Sequence, residues 1–150
     1  MKYKSLKPLF LIILCLFAYS FKPVYAKDAS LSVENAWISE APPVSRVMVA
    51  YMTLANTGSQ AIEIVRAESD SYSSIEFHET VHQDGMARMV RHDSLNIAAN
   101  NKLELKRGGP HLMLFNPSKQ LKAGDTVAIK FTTKNNTSKT IVVNVKKAQF

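Results

Sequence analysis

The chain has one cysteine in 150 residues, Cys15, and none after it. Everything beyond that position is therefore closed to disulfides, to a thiolate nucleophile, and to zinc or iron sites of the cysteine type. Any metal must be held by other ligands. Long apolar runs are equally scarce. The one present, "PLFLIILCLFAYSF" (Pro8 to Phe21), has 14 residues, whereas a bilayer span needs about 20. Lys2, Lys4 and Lys7 precede it, and "VYA" ends at Ala26 with small residues in the A-x-A-like cleavage positions. This is the pattern of a secretory signal peptide, with cleavage after Ala26 and no retained membrane span. A lipoprotein is disfavoured because Cys15 follows the bulky Leu14 inside the apolar run. The expected organisation is a signal peptide over residues 1–26 and one domain over residues 27–150.

A strong charge of one sign is also missing from the mature chain. The formal net charge is +7, but four of the 19 basic residues (Lys2, Lys4, Lys7 and Lys22) sit in the leader and none of the 12 acids does. That leaves 15 basic residues against 12 acidic, a balance of +3, and the basic residues are scattered. A nucleic-acid partner is not expected from such a pattern. Internal repeats, low-complexity linkers and long stretches of helical period are absent as well.

What is there has strand character. "LSVENAWI" (Leu31 to Ile38), "VMVAYMTLAN" (Val47 to Asn56), "AIEIVRAE" (Ala61 to Glu68), "SIEFHETVH" (Ser74 to His82), "MARMV" (Met86 to Val90), "KLELK" (Lys102 to Lys106), "HLMLF" (His111 to Phe115), "TVAIKFTT" (Thr126 to Thr133) and "TIVVNVKK" (Thr140 to Lys147) are short, and many alternate. Turn-forming groups such as "NTGS", "QDG", "RGGP", "AGD" and "NNTS" separate them. The pattern predicts an all-β antiparallel sandwich or barrel, with Trp37 in its core.

Two segments carry unusual chemistry. In "GGPHLMLFN" (Gly108 to Asn116), His111 and Met113 are two apart and so share a strand face, opposite Leu112 and Leu114. In "EFHETVHQDGMARMVRH" (Glu76 to His92), Asp84-Gly85 is a two-residue hairpin signal. That turn pairs Gln83 with Met86, His82 with Ala87, Thr80 with Met89 and His78 with Arg91. Met89 then lies diagonal to His78 on the same face, while Met86 falls on the other. Two histidine–methionine pairs, His78 with Met89 and His111 with Met113, point to one site of two imidazoles and two thioethers. All four donors are neutral, and the soft thioethers favour Cu(I) over zinc, calcium or magnesium.

The order His78-x10-Met89-x21-His111-x-Met113 resembles the metal motif of the periplasmic PCuAC copper chaperones, and "AWISEAPP" (Ala36 to Pro43), "AYMTLANTG" (Ala50 to Gly58), "FHET" (Phe77 to Thr80) and "GGPHLMLF" (Gly108 to Phe115) look like that family's landmarks in the same order. The resemblance covers nearly the whole mature domain. It implies a cupredoxin-like antiparallel Greek-key β-sandwich, a periplasmic monomer that binds Cu(I) near an exposed end. It also implies delivery of copper to the CuA centre of cytochrome c oxidase, directly or through a thioredoxin-like copper chaperone. Two departures stand out. Some members have methionine directly after the first histidine, where this chain has Glu79, which points away from His78 by strand parity. Some carry a histidine- and methionine-rich tail, whereas this chain ends "VKKAQF" (Val145 to Phe150).

The other candidates read as structural or solvated. His82 is a surface histidine beside the turn, His92 follows a strand, and Met48 and Met52 share a core face. Arg88, Arg91 and Arg107 have two readings, as residues that flank the metal face and help dock an acidic partner or equally as ordinary solvated side chains. The leading function class is a non-enzymatic Cu(I) carrier. Against it stand a copper-free structural or adhesive sandwich and an electron-transfer cupredoxin; the latter would need a thiolate that the mature chain lacks. No nucleophile motif or paired-acid arrangement argues for an enzyme.

Overall fold

The computed structural model describes residues 30–148, so the expected leader, residues 1–26, lies outside the described residues. Ten strands follow in order: β1 (Leu31–Ser39), β2 (Val47–Asn56), β3 (Ile62–Glu68), β4 (Tyr72–Gln83), β5 (Met86–His92), β6 (Leu95–Ile97), β7 (Lys102–Leu105), β8 (Pro110–Pro117), β9 (Thr126–Thr133) and β10 (Ser138–Lys146). All nine expected segments are strands. The addition is β6, whose three residues are too few to display a period. No helix among the described residues is long and apolar enough to cross a membrane.

Hydrogen bonds link the strands in the order β5-β4-β8-β2-β1-β10-β9-β3-β6, with β7 also on β2. Because spatial neighbours are mostly not sequence neighbours, the chain crosses repeatedly between the two ends of this path. Buried side chains from both halves form one cluster: Ala50, Leu54, Leu112 and Leu114 on one side, Ile64, Ile129, Phe131 and Val143 on the other. A single sheet can share one core between its two halves only by rolling over itself into two layers. Each fully buried Leu, Ile or Phe contributes about 1.5 to 3 kcal/mol to holding those layers together.

One pair departs from the antiparallel expectation. β1 and β10 run parallel, with Trp37, Ile38 and Ser39 opposite Asn144, Val145 and Lys146. β1 is also irregular between Glu34 and Trp37, where Asn35 takes φ 54. Before it β1 bonds β2 alone; beyond it β1 bonds β2 and β10 together and hinges the two layers. Trp37 also differs from its expected core position. It is half-buried on the outer face, beside Tyr51 with ring centroids 4.9 Å apart. The core at this point is filled by Ile38, its neighbour in sequence, which is fully buried.

Candidate metal centre

The outer face of β5-β4-β8-β2-β1 gathers the chemistry read from the sequence. The β4–β5 hairpin closes through Asp84 (φ 53) and Gly85 (φ 75), the left-handed pair that a type I′ turn requires and that matches strand twist. A two-residue turn fixes parity along both strands. The register is Gln83 opposite Met86, His82 opposite Ala87, Thr80 opposite Met89 and His78 opposite Arg91, as the dipeptide predicts. On its other edge β4 pairs with β8, placing His78 directly opposite His111 and Glu76 directly opposite Met113. Directly paired residues share a face. Glu76, His78, Thr80, Met89, Arg91, His111 and Met113 therefore all project outward, while Phe77, Leu112 and Leu114 fill the core.

His78 is the hub of this group. Its ring lies 6.3 Å from that of His111, centroid to centroid, with an interplanar angle of 28°. A first-row metal holds an imidazole nitrogen at about 2 Å, so two rings sharing one ion stand at most two such bonds and two ring radii apart, when the ion lies in line between them, and the observed separation is at about that limit. Met113 and Met89 are diagonal neighbours of His78 on its two sides, at about 7 to 8 Å between Cα atoms. Met113 is half-buried beside Val49 of β2. Met89 is 55% exposed, and its sulfur lies 3.9 Å from the Thr80 hydroxyl.

The histidines are held unequally. His111 is one of two buried polar residues among those described, the other being Asn56. Its Nδ1 lies 2.9 Å from the Gly109 carbonyl; a carbonyl only accepts, so Nδ1 carries the hydrogen and Nε2 keeps its lone pair. The Gly109 carbonyl also accepts from the Thr80 amide at 3.2 Å. The Gly108-Gly109 turn, with Gly108 at φ 72, thus ties β4 to β8 at the site. His78 Nε2 faces the Glu76 carboxylate at 2.8 Å, while its Nδ1 is buried with no hydrogen-bond partner among the described residues.

The remaining candidates divide by parity. His82 is exposed on the same face, near the turn. His92 lies on the opposite face and contacts Glu79 at 2.9 Å, so both point away from His78. Met48 and Met52 are buried in the core. Arg91 lies on the site's face, 3.5 Å from Glu76, and Arg107 stacks over Trp37 and Tyr51 at 6.0 and 5.9 Å; Arg88, opposite Val81, is on the far face. Among the described residues, no three His, Asp, Glu or Cys side chains are placed to hold a metal together; the soft donors that share this face with His78 and His111 are the thioethers of Met89 and Met113. Two partners went unnoticed in the sequence. The Glu76-x-His78 spacing, two apart on one strand, was a signal for the first; the Gly109 carbonyl depends on loop geometry and left none.

Comparison with known proteins agrees with this architecture. A family model described as "Putative lipoprotein LpqE-like" matches residues 31–145. The "Uncharacterized protein RP573" of Rickettsia prowazekii (strain Madrid E) is 38% identical over 99 residues, 65% of this chain and 54% of that protein; the chain thus spans about half that relative's length. The solution structure of CuI-DR1885 from Deinococcus radiodurans is 32% identical, with a TM-score of 0.65 over 82% of this chain and 81% of that one. The copper-bound PCuAC domain from PmoF2 has the same fold at 17% identity, with a TM-score of 0.66 over 80% of this chain and 96% of that one. By sequence match and by its cupredoxin-like β-sandwich, the chain belongs to the LpqE-like family of PCuAC-type proteins.

Proposed function

We propose that the protein is an exported Cu(I) carrier, with His78, Met89, His111 and Met113 as ligands. The observation that carries this reading is the convergence of the two histidine–methionine pairs on one outer face, with His78 directly opposite His111 and its buried Nδ1 unpartnered. A copper-free sandwich would have no use for a buried imidazole nitrogen without a partner, since such a group lowers stability when nothing binds it. Two imidazoles and two thioethers form a soft, uncharged donor set suited to Cu(I). The relative DR1885, 32% identical, is described in its Cu(I) form, which supports the same cargo here. An electron-transfer role is disfavoured because a blue-copper site uses a cysteine thiolate and the only cysteine is Cys15.

The geometry also suits release. Met89, on the exposed hairpin, must swing toward His78 to complete the set and is the ligand most open to replacement by a partner's donor. Transfer then proceeds by stepwise ligand exchange, beginning at Met89 and ending at the buried His111. The recipient in this reading is the CuA site of cytochrome c oxidase or a thioredoxin-like copper chaperone, and the location is the periplasm after cleavage at Ala26. The protein acts as a monomeric carrier and performs no catalysis.

The test is anaerobic titration of the mature protein with Cu(I) against a competing chelator, followed by mixing with an apo CuA fragment. One tightly bound, colourless Cu(I) per chain that passes to the fragment is the expected result. Failure to bind copper stoichiometrically would reject the carrier in favour of the structural sandwich, and an intense blue Cu(II) band would favour the electron carrier.

A further inference from the structure

Each histidine of the site presents a different nitrogen. Glu76 and His78 are two apart on β4 and so stand side by side on its outer face. Glu76 Oε2 lies 2.8 Å from His78 Nε2, and its other oxygen lies 3.5 Å from the Arg91 guanidinium. An ionised carboxylate offers only acceptors, so Nε2 must carry the hydrogen it donates. The other tautomer would set an imidazole lone pair against the carboxylate and leave an N–H at the buried Nδ1 with nothing to receive it. His78 is therefore held as the Nε2–H tautomer with its lone pair on Nδ1, the atom that has no partner. His111 is held the opposite way, since its Nδ1–H donates to the Gly109 carbonyl at 2.9 Å.

We infer that Glu76, itself braced by Arg91, is a positioning residue that fixes the His78 tautomer, so that Nδ1 of His78 and Nε2 of His111 are the two nitrogens offered to a soft cation. The cation rests on the copper reading above; the tautomers rest on the hydrogen-bond geometry alone. Carboxylate-to-imidazole hydrogen bonds orient ligating histidines and raise their basicity, and losing such a partner lowers metal affinity by about 10- to 100-fold. The arrangement keeps His78 ready for metal without reorientation, at the expense of an unsatisfied acceptor while the site is empty.

Long-range proton–nitrogen NMR of the imidazole rings tests this, recorded on the folded mature protein at mildly alkaline pH with and without Cu(I). In the apo protein, His78 is expected with Nε2 protonated and His111 with Nδ1 protonated. Cu(I), which is diamagnetic, is expected to shift His78 Nδ1 and His111 Nε2. Glu76→Leu removes the acceptor: His78 becomes a mixture of tautomers and Cu(I) affinity falls about 10- to 100-fold. Glu76→Gln, whose amide oxygen still accepts from Nε2–H, keeps the tautomer and restores most of the affinity. A wild-type His78 protonated at Nδ1, or a Glu76→Leu protein with unchanged tautomer and affinity, would overturn the positioning role even if copper binds. The expected tautomers in a protein that binds no Cu(I) would uphold the role of Glu76 and reject the copper reading instead.

Discussion

Met86 and Met89 make a matched pair for testing the site. They lie three apart on one strand, and each is 55% exposed. Register alone separates them: Met89 is opposite Thr80, on the face of His78, while Met86 is opposite Gln83, on the other face. Replacing either by leucine keeps the shape and removes only the sulfur. Neither is packed in the core, so each change in apo stability should stay within about 0.5 kcal/mol, a shift in Tm of about 1 to 4 °C. Their effects on copper should differ sharply. A lost hydrogen-bonding partner of a ligand already lowers metal affinity by about 10-fold or more, and a lost donor should do no less, which corresponds to at least about 1.4 kcal/mol. Anaerobic chelator competition reads the affinity and thermal melting reads the fold. Met89→Leu should weaken Cu(I) binding at least about tenfold while Met86→Leu leaves it unchanged. Equal effects, or the reverse order, would refute the parity argument on which the ligand set depends.

Two further outcomes follow from the same structure and a third from the sequence. Asn56 donates to the carbonyls of Gln60, Ile97 and Ala98 and accepts from the Gly58 amide; Asn56→Ala should lower stability by about 1 to 3 kcal/mol in denaturant titration without altering copper affinity. Burial raises the Tyr72 phenol from its ordinary 10 to about 12, so the folded state holds this proton more tightly than the unfolded one. The contribution of this group is intact below pH 10 and lost as pH rises toward 12, by about 2 to 3 kcal/mol; Tyr72→Phe should flatten that part of the alkaline unfolding curve, and an unchanged curve would contradict the assignment. Mass spectrometry of the exported protein should find a mature chain starting at Lys27, whereas a lipid-modified Cys15 would overturn the leader reading.

Much of this was legible because strands have a period of two. The Asp84-Gly85 dipeptide set the register of β4 and β5, and with it the choice of Met89 over Met86 and the turning away of Glu79 from His78. The spacing of His111 and Met113 gave their common face in the same way. What the sequence concealed depends on pairings between distant segments. Nothing local indicates that β8 lies beside β4 with His111 directly opposite His78, or that β1 meets β10 in parallel after the irregularity at Asn35. Trp37 misled for a related reason: hydrophobicity favours the core, but its parity beside fully buried Ile38 sends it to the outer face, where Tyr51 and Arg107 cover it. The His111 tautomer is hidden because its acceptor is the backbone carbonyl of Gly109.

In the proposed carrier one cuprous ion is enclosed by side chains from the β4–β5 hairpin and from β8. X-ray absorption on the Cu(I)-loaded mature protein measures this directly. One copper per chain with two nitrogen and two sulfur neighbours is expected, the sulfur count dropping by one in Met89→Leu and again in Met113→Leu; a shell of nitrogen and oxygen alone would rule out this ligand set.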